Sequence, residues 1–354
     1  MHLNEYTTLG RSGLRVSPLA LGTMTFGNDR WGSQDAESKR IFERYVEQGG
    51  NFLDCADGYA EGRSEEVLGR FVGEGGLRDR LVIATKFTFS AQEGNPNAGG
   101  NGRKNIYRAL DGSLRRLKMD YVDMYWLHVW DTITPVEEVV HTLTDLVRAG
   151  KIRYYGFSDV PAWYASRAVT LAELRGLERP IALQLEYSLV ERNIEREHIP
   201  LALELGLGVC PWSPLASGFL AGKYSRQGGA ASSKGSRLEV LKDSNNPVFN
   251  KFTERNFQIL DALKGVAKEL GHSPAEVALN WVATQPGVTS AIIGATSLKQ
   301  LESNLGAITF EVPPGLRSKL DEASGIESVH PYMFFEEVLQ DRVRGGVKVS
   351  KWNS

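Results

Sequence analysis

Cysteine is nearly absent from this 354-residue chain, with only Cys55 and Cys210 present. Two residues cannot form a disulfide framework, and neither lies in a CxxC, which excludes a zinc knuckle or a dithiol redox pair. Both are expected to pack as small buried apolar groups. The six histidines, at positions 2, 128, 141, 198, 272 and 330, show no metal-ligand spacing, and no metal site is expected. An excess of charge is also lacking: 41 Lys plus Arg against 43 Asp plus Glu leave a net −2. A dedicated nucleic-acid binder would carry more bulk positive charge. No segment reaches eighteen uninterrupted apolar residues, and the N-terminal MHLNEYTTLGRSG has no apolar export stretch. The expectation is a soluble, cytoplasmic chain with no membrane span and no nucleic-acid partner.

Several catalytic motifs are missing as well. There is no G-x-G-x-x-G, so the Rossmann dinucleotide fingerprint fails. Gly218-Phe-Leu-Ala-Gly222-Lys223-Tyr224 has one residue too few between its glycines for a P-loop, and Tyr where Ser or Thr would hold magnesium. HExxH, an EF-hand loop and G-x-S-x-G are also absent, which weakens metallohydrolase, NTPase and serine-esterase readings.

What is present is a core-forming composition, 42% hydrophobic and 24% charged. Tyr6–Leu9 and Leu14–Val16 flank a turn, Gly10-Arg-Ser-Gly13, and predict a short hairpin. Short apolar runs follow at 19–21, 51–54, 81–86, 121–127, 152–157, 181–185, 208–211 and 290–293, as buried parallel strands require. Amphipathic stretches separate them. In 35–48, Ile41, Phe42, Tyr45 and Val46 share one helical face; 136–149 repeats the pattern with Val139, Val140, Leu143, Leu146 and Val147. Ser273-Pro274 predicts a capped helix start. Eight strands alternating with helices predict an α/β fold, a closed (β/α)8 TIM barrel, with a doubly wound open sheet as runner-up. One domain, 1–354, is expected: hairpin about 5–17, barrel about 18–310, then a C-terminal helix and tail over the barrel mouth, about 311–354. Two long βα loops, 89–102 and 215–247, are full of turn residues. Lys234 and Lys242 in the second read as solvated.

Catalytic groups of such barrels sit at the C-terminal ends of strands. There the chain places Asp54 followed by Cys-Ala-Asp-Gly-Tyr59, then Lys86, His128, Ser158-Asp159, Gln184 and Trp212-Ser213. A buried lysine is costly unless paired. Lys86 and Asp54 on neighbouring strands could pair and set a cation beside the Tyr59 hydroxyl. That cation would lower the phenol pKa, and a phenol so tuned can give a proton to a developing alkoxide and take it back. His128 could orient a carbonyl oxygen in the same pocket. Asp57 reads as a solvated loop carboxylate, and Trp126 as core.

These residues carry a resemblance. Gly50-Asn-Phe-Leu-Asp54-Cys-Ala-Asp-Gly-Tyr59 with Ser64-Glu65-Glu-Val-Leu-Gly69, Ala84-Thr-Lys86, Leu127-His128, Gly156-Phe-Ser158-Asp159, Gln184-Leu-Glu-Tyr-Ser188, Pro211-Trp-Ser-Pro-Leu215 and Ile293-Gly-Ala-Thr-Ser297 follow one another at the strand ends. In this order they resemble the aldo-keto reductase superfamily, in the branch with potassium-channel β-subunits and bacterial aryl-alcohol-type reductases. The resemblance implies NADPH-dependent reduction of aldehydes or ketones. Tyr59 would be the proton donor, Lys86 and Asp54 would tune it, and His128 would orient the carbonyl. It implies NADP(H), with NAD(H) next in line, held by Gly22, Thr23 and Met24. Ser158, Asp159 and Gln184 would hold the carboxamide and Trp212 would stack on the nicotinamide. Ser213, Leu215, Gly218, Lys223 and Arg237 would reach the phosphates, and Gly294, Thr296, Ser297, Gln300 and Asn304 the adenosine end, where helix-opening amides favour anions. Phe26, Trp31 and Trp130 would line the substrate site. A homo-oligomer is left open. The chain departs from the family at three places: Asp159 stands where Asn is usual, Thr296 where many members carry Arg, and Ser303 where Glu is common. The alternative function is a slow-turnover nicotinamide-binding regulatory subunit resembling the channel β-subunits.

Overall fold

The computed structural model describes residues 1–229, 236–241, 243–244 and 246–350, so Lys234 and Lys242 lie outside the described residues. A two-stranded antiparallel hairpin, β1 (Thr7–Thr8) and β2 (Arg15–Val16), precedes eight parallel strands. These are β3 (Leu19–Gly22), β4 (Phe52–Asp54), β5 (Val82–Phe87), β6 (Val122–Leu127), β7 (Ile152–Ser158), β8 (Ala182–Gln184), β9 (Gly208–Val209) and β10 (Ala291–Ile293). Each lies within two residues of its expected position.

Helices α1 (Asp35–Glu47), α2 (Arg63–Glu74), α3 (Arg103–Leu117), α4 (Val136–Arg148), α5 (Ala162–Arg175) and α6 (His198–Leu205) follow β3 to β8 in turn. After β9 come a short α7 (Arg237–Val240), α8 (Glu254–Leu270) and α9 (Pro274–Ala283); α10 (Leu298–Gly306) follows β10. The sheet runs β10-β3-β4-β5-β6-β7-β8-β9. The remaining seam is stitched by Thr289 N donating to Val209 O and Ile292 N to Pro211 O, both at 2.8 Å. The sheet is therefore a (β/α)8 barrel and not the open alternative.

Two apolar layers explain the uninterrupted apolar runs. Ala20, Phe52, Val82, Ala84, Met124, Trp126, Ala182, Cys210 and Ile292 form one cluster inside the barrel, joined by Leu9 and Val16 of the hairpin. The hairpin thereby closes the end opposite the strand C-termini. Leu21, Leu53, Ile83, Tyr125, Leu127, Phe157 and Leu183 point outward against the helices. A strand buried on both faces cannot alternate apolar with polar. Helix starts follow local chemistry: at α9 the Ser273 hydroxyl accepts from Glu276 N, and Glu276 Oε2 accepts from Ser273 N at 2.8 Å. Such a capping box contributes about 1 kcal/mol.

After α11 (Pro314–Ser324) the tail runs to α12 (Glu337–Val343). It meets the rim of the mouth on the β8–α6 connection, where Arg196 donates to Glu327 O at 2.8 Å and Tyr332 OH to Glu197 at 2.6 Å. Beyond that rim its apolar side chains stay outside the core, with Phe334 and Phe335 exposed. Among the described residues no helix is long and apolar enough to cross a membrane.

Candidate active site

The strand register assembles the centre. Asp54 at the end of β4 lies beside Gly22 of β3 and Ala84 of β5. Lys86, two residues beyond Ala84, therefore faces the same interior. It is fully buried. An ammonium has three N–H donors, and Lys86 uses all three: to Asp54 Oδ2 at 2.5 Å, Cys55 O at 2.8 Å and Tyr59 OH at 3.1 Å. Asp54 Oδ1 accepts from Gln184 Nε2 at 2.9 Å. A carboxylate can only accept, so the Gln184 amide is turned with its oxygen away from Asp54. Because Lys86 donates to the phenol oxygen, the phenol hydrogen is left to point elsewhere. The turn after Tyr59 carries two non-glycine residues in left-handed backbone, Ala60 (φ 47°) and Glu61 (φ 57°). Conformations of this kind cost about 1–3 kcal/mol each and collect at functional sites.

Burial and charge compete at each group. Burial pulls the Lys86 ammonium down, but Asp54 and Tyr59 more than reverse it, and its pKa is raised. The phenol departs from the expected direction. Burial raises the Tyr59 pKa, and Lys86, though it pulls the other way, does not outweigh it. The Lys86 charge only partly offsets desolvation, so the phenol is protonated at neutral pH. Burial, then the Lys86 charge, holds His128 well below its usual value and hence neutral. Its Nδ1 is buried with no hydrogen-bond partner among the described residues. The His128 ring stands edge-on to Tyr59 (centroids 6.0 Å apart) and to Phe89 (4.8 Å).

Asp57 is not the solvated carboxylate expected. Its Oδ1 is buried without a partner among the described residues, and burial, with Glu65 adding to it, pushes its pKa up to about 7. A folded-state pKa above the unfolded one favours folding at low pH and loses that advantage as pH rises. Asp57→Asn should therefore raise Tm at pH 8 and change it little at about pH 3, below both the folded value and the ordinary 3.8; an equal effect at both, read by calorimetry, would contradict the assignment.

The nicotinamide-side candidates come together at neighbouring strand ends. Ser158 of β7 lies opposite Gln184 of β8. Trp212 Nε1 donates to Asp159 Oδ1 at 3.2 Å, and Ser158 Oγ to Oδ2 at 3.3 Å. Gly22 has no room for a side chain: a Cβ there would come within 2.9 Å of Ile292 Cγ2. Thr23 is buried and braces Asp54, donating its amide to Asp54 O at 2.8 Å. The loop after β9 has left-handed backbone at Ser213, Ala216, Ser217 and Gly218, pinned by Ser217 N on Ser213 Oγ at 2.9 Å and Gly218 N on Leu215 O at 2.9 Å. Lys223, exposed to solvent, lies over the Tyr224 ring, 5.4 Å from its centroid. Arg237 sits between the rings of Trp31 (4.8 Å) and Phe249 (5.4 Å), with a nitrogen 3.8 Å from Met24 Sδ. Its Nε is buried with no partner among the described residues. A buried guanidinium nitrogen left unpaired beside a strained loop fits a missing anion such as a diphosphate.

The adenosine end differs from expectation. Ser297 caps α10, Gln300 Oε1 accepts from Thr296 N at 2.9 Å, and Asn304 Nδ2 donates to Gly294 O at 3.1 Å. The Leu298 amide, one of those expected to face an anion, already donates to Glu37 Oε1 at 2.7 Å. Glu37 comes from α1, which neighbours α10 across the barrel's closing point, and nothing in the local sequence could reveal it.

Of the substrate-lining candidates, Phe26 is corrected: it is fully buried and packs edge-on against Phe71 in the core, because the first βα loop turns inward there. Trp31 is tied to Arg237. Trp130 packs on Trp163, with ring centroids 5.3 Å apart. Phe89 and Trp163, unforeseen, stand partly exposed beside this wall; an aromatic three residues beyond a strand-end lysine was the signal available for Phe89. Among the described residues no three His, Cys, Asp or Glu side chains are placed to hold a metal ion.

The profile of the aldo/keto reductase family matches residues 18–324. The chain is 39% identical over 307 residues to a probable voltage-gated potassium channel subunit beta of Oryza sativa (86% of this chain, 91% of the relative). It is 35% identical to an uncharacterised oxidoreductase of Bacillus subtilis (90% and 95%). It is also 30% identical to an aryl-alcohol dehydrogenase [NADP(+)] of Phanerodontia chrysosporium (91% and 86%). With barrel, strand-end centre and profile in agreement, the chain belongs to the aldo/keto reductase family and is an NAD(P)-dependent oxidoreductase.

Proposed function

We propose that the chain reduces aldehyde or ketone carbonyls to alcohols with NADP(H), reversibly, with Tyr59 as the proton donor. The observation that carries this reading is the Lys86 ammonium, whose three hydrogens go to Asp54, Cys55 O and the Tyr59 oxygen. The bound cofactor supplies the hydride. Neutral His128 donates a ring N–H to the substrate carbonyl oxygen and fixes its direction. As negative charge gathers on that oxygen, Tyr59 releases its proton to it, and Lys86, already on the phenol oxygen, stabilises the phenolate left behind. Asp54 holds Lys86 charged. Solvent then returns a proton to Tyr59, and the alcohol carries one hydride and one proton more than the carbonyl. Ser158 and the free oxygen of Gln184 suit a carboxamide, Trp212 an aromatic ring face, and Lys223 and Arg237 a diphosphate.

The 2′-phosphate end is the weaker part of the cofactor site. Thr296, Ser297 and Gln300 offer neutral groups, while Glu37 sets a carboxylate on the first helix amide. A neutral hydrogen bond contributes about 1 kcal/mol against about 1.5–3 for a charge-assisted one. NADPH should therefore bind better than NADH by a modest ratio that shrinks with salt. Glu37→Gln should widen the ratio about tenfold by lowering the NADPH Kd alone, one charge contact being worth about that much. Equal changes for both cofactors, by fluorescence titration, would show that Glu37 does not face the 2′-phosphate.

A panel of aromatic aldehydes, quinones, sugars and steroid ketones, followed by oxidation of NADPH, tests the activity. Ordinary turnover supports it. Tight cofactor binding with barely measurable turnover on every member would favour the second reading, a nicotinamide-binding regulatory subunit, which similarity to the rice channel subunit supports.

A further inference from the structure

At the end of β7 a carboxylic acid, Asp159, stands beside the side chains of Ser158 and Trp212. Asp159 is held in left-handed backbone, φ 46°, which Asp and Asn tolerate better than most residues. Its amide donates to Gln184 O at 3.3 Å and its carbonyl accepts from Trp130 N at 3.4 Å. The carboxyl is pinned by two neutral donors, Trp212 Nε1 at 3.2 Å and Ser158 Oγ at 3.3 Å. Both belong to the side chains assigned above to the nicotinamide.

The charged groups facing it are few. On the β8 side Glu186 pairs with Lys251 at 2.8 Å. Across the barrel Lys86 is engaged by Asp54 at 2.5 Å. His198 at the start of α6 bonds the neighbouring Val160 O at 2.9 Å. No cation pairs directly with Asp159 among the described residues. Burial, reinforced by Glu186 and only partly offset by Trp212, Ser158 and Lys86, pushes the carboxyl up to about 7.

We propose that Asp159 couples a proton to the redox state of the bound nicotinamide. When ionised it favours the oxidised, cationic ring, and when protonated the reduced, neutral one. The inference rests on the reading that the ring lies against Ser158, Gln184 and Trp212. A positive charge near a carboxyl favours its ionised form, and linkage requires that the ionised form favour the positive ring by the same factor. Oxidised cofactor meeting a protonated Asp159 sends that proton to solvent, and no other bond changes. An amide would be indifferent to ring charge. With Asp159, rising pH holds the oxidised form more tightly relative to the reduced one.

The test is the ratio of Kd for NADP+ to Kd for NADPH, by fluorescence titration from about pH 5.5 to about pH 8.5, across the shifted carboxyl. The 2′-phosphate, with its second pKa near about 6, is common to both forms and cancels in the ratio. The ratio should fall at least about fivefold with rising pH, the lower end of usual couplings. Calorimetry in two buffers near neutral pH should show proton release with NADP+ and not with NADPH. Asp159→Asn should flatten the ratio while still binding both forms. A slope unchanged in Asp159→Asn overturns the proposal. Should that variant not fold, the wild-type calorimetry decides alone, and absence of proton release overturns it. Binding with a flat ratio removes this inference only, whereas no binding of either form at any pH removes the reductase reading with it.

Discussion

Tyr59→Phe is expected to lower kcat for carbonyl reduction by about 10²–10⁴-fold, the usual worth of a positioned general acid, while leaving the Kd for NADPH unchanged. The substitution removes one oxygen whose hydrogen-bond partner among the described residues is Lys86, at 3.1 Å, so the ring keeps its place edge-on to His128. Stability should fall by about 1–3 kcal/mol, because the buried Lys86 ammonium loses one of its three acceptors. The wild-type pH profile follows from the same geometry. Burial raises the phenol pKa, so reduction, which needs the protonated form, should not decline until the pH reaches the ordinary phenol range of about 10. Alcohol oxidation needs the phenolate and should rise with pH over the same interval. A variant that keeps more than about a tenth of wild-type kcat, outside the loss a general acid accounts for, would remove Tyr59 from the role.

Lys86→Met should abolish activity to a similar degree and, unlike Tyr59→Phe, should also destabilise the fold. The ammonium and Asp54 are both buried, at 2.5 Å. Removing one member of such a pair leaves an uncompensated buried charge, at a cost of about 3–5 kcal/mol. Adding Asp54→Asn removes the stranded carboxylate. The double variant should therefore recover most of the lost Tm in thermal unfolding and none of the kcat. Recovery of activity along with stability would mean that Lys86 serves the fold and not the phenol. Full stability in Lys86→Met alone would mean that the pair is not held as described.

The barrel, and which polar side chains stand at its strand ends, were legible from residue order alone. Parallel strands buried on two faces must be apolar throughout, helices between them must be amphipathic, and a polar residue at a strand's C-terminal end is conspicuous against that background. Asp54, Lys86, His128, Ser158 and Gln184 stood out for this reason, and short strands leave little freedom in their register. The two cysteines, likewise, had little other place to go than the interior, where both are found. Whatever depends on residues far apart in the chain was decided only by the tertiary structure. The direction of the Tyr59 shift turns on how completely the pocket is desolvated, which no spacing reports. Glu37 reaches the α10 amide across 261 positions of sequence. Phe26 looked like a mouth residue and went into the core because its loop folds back toward Phe71. Asp57 sits in a motif full of small and polar residues, yet its Oδ1 is buried in the folded chain and the Glu65 charge adds to the rise in its pKa. Local sequence specifies what each segment can form. Net electrostatics, burial of loop side chains and contacts between the first and last helices depend on closure of the ring, which brings the two ends of the chain together.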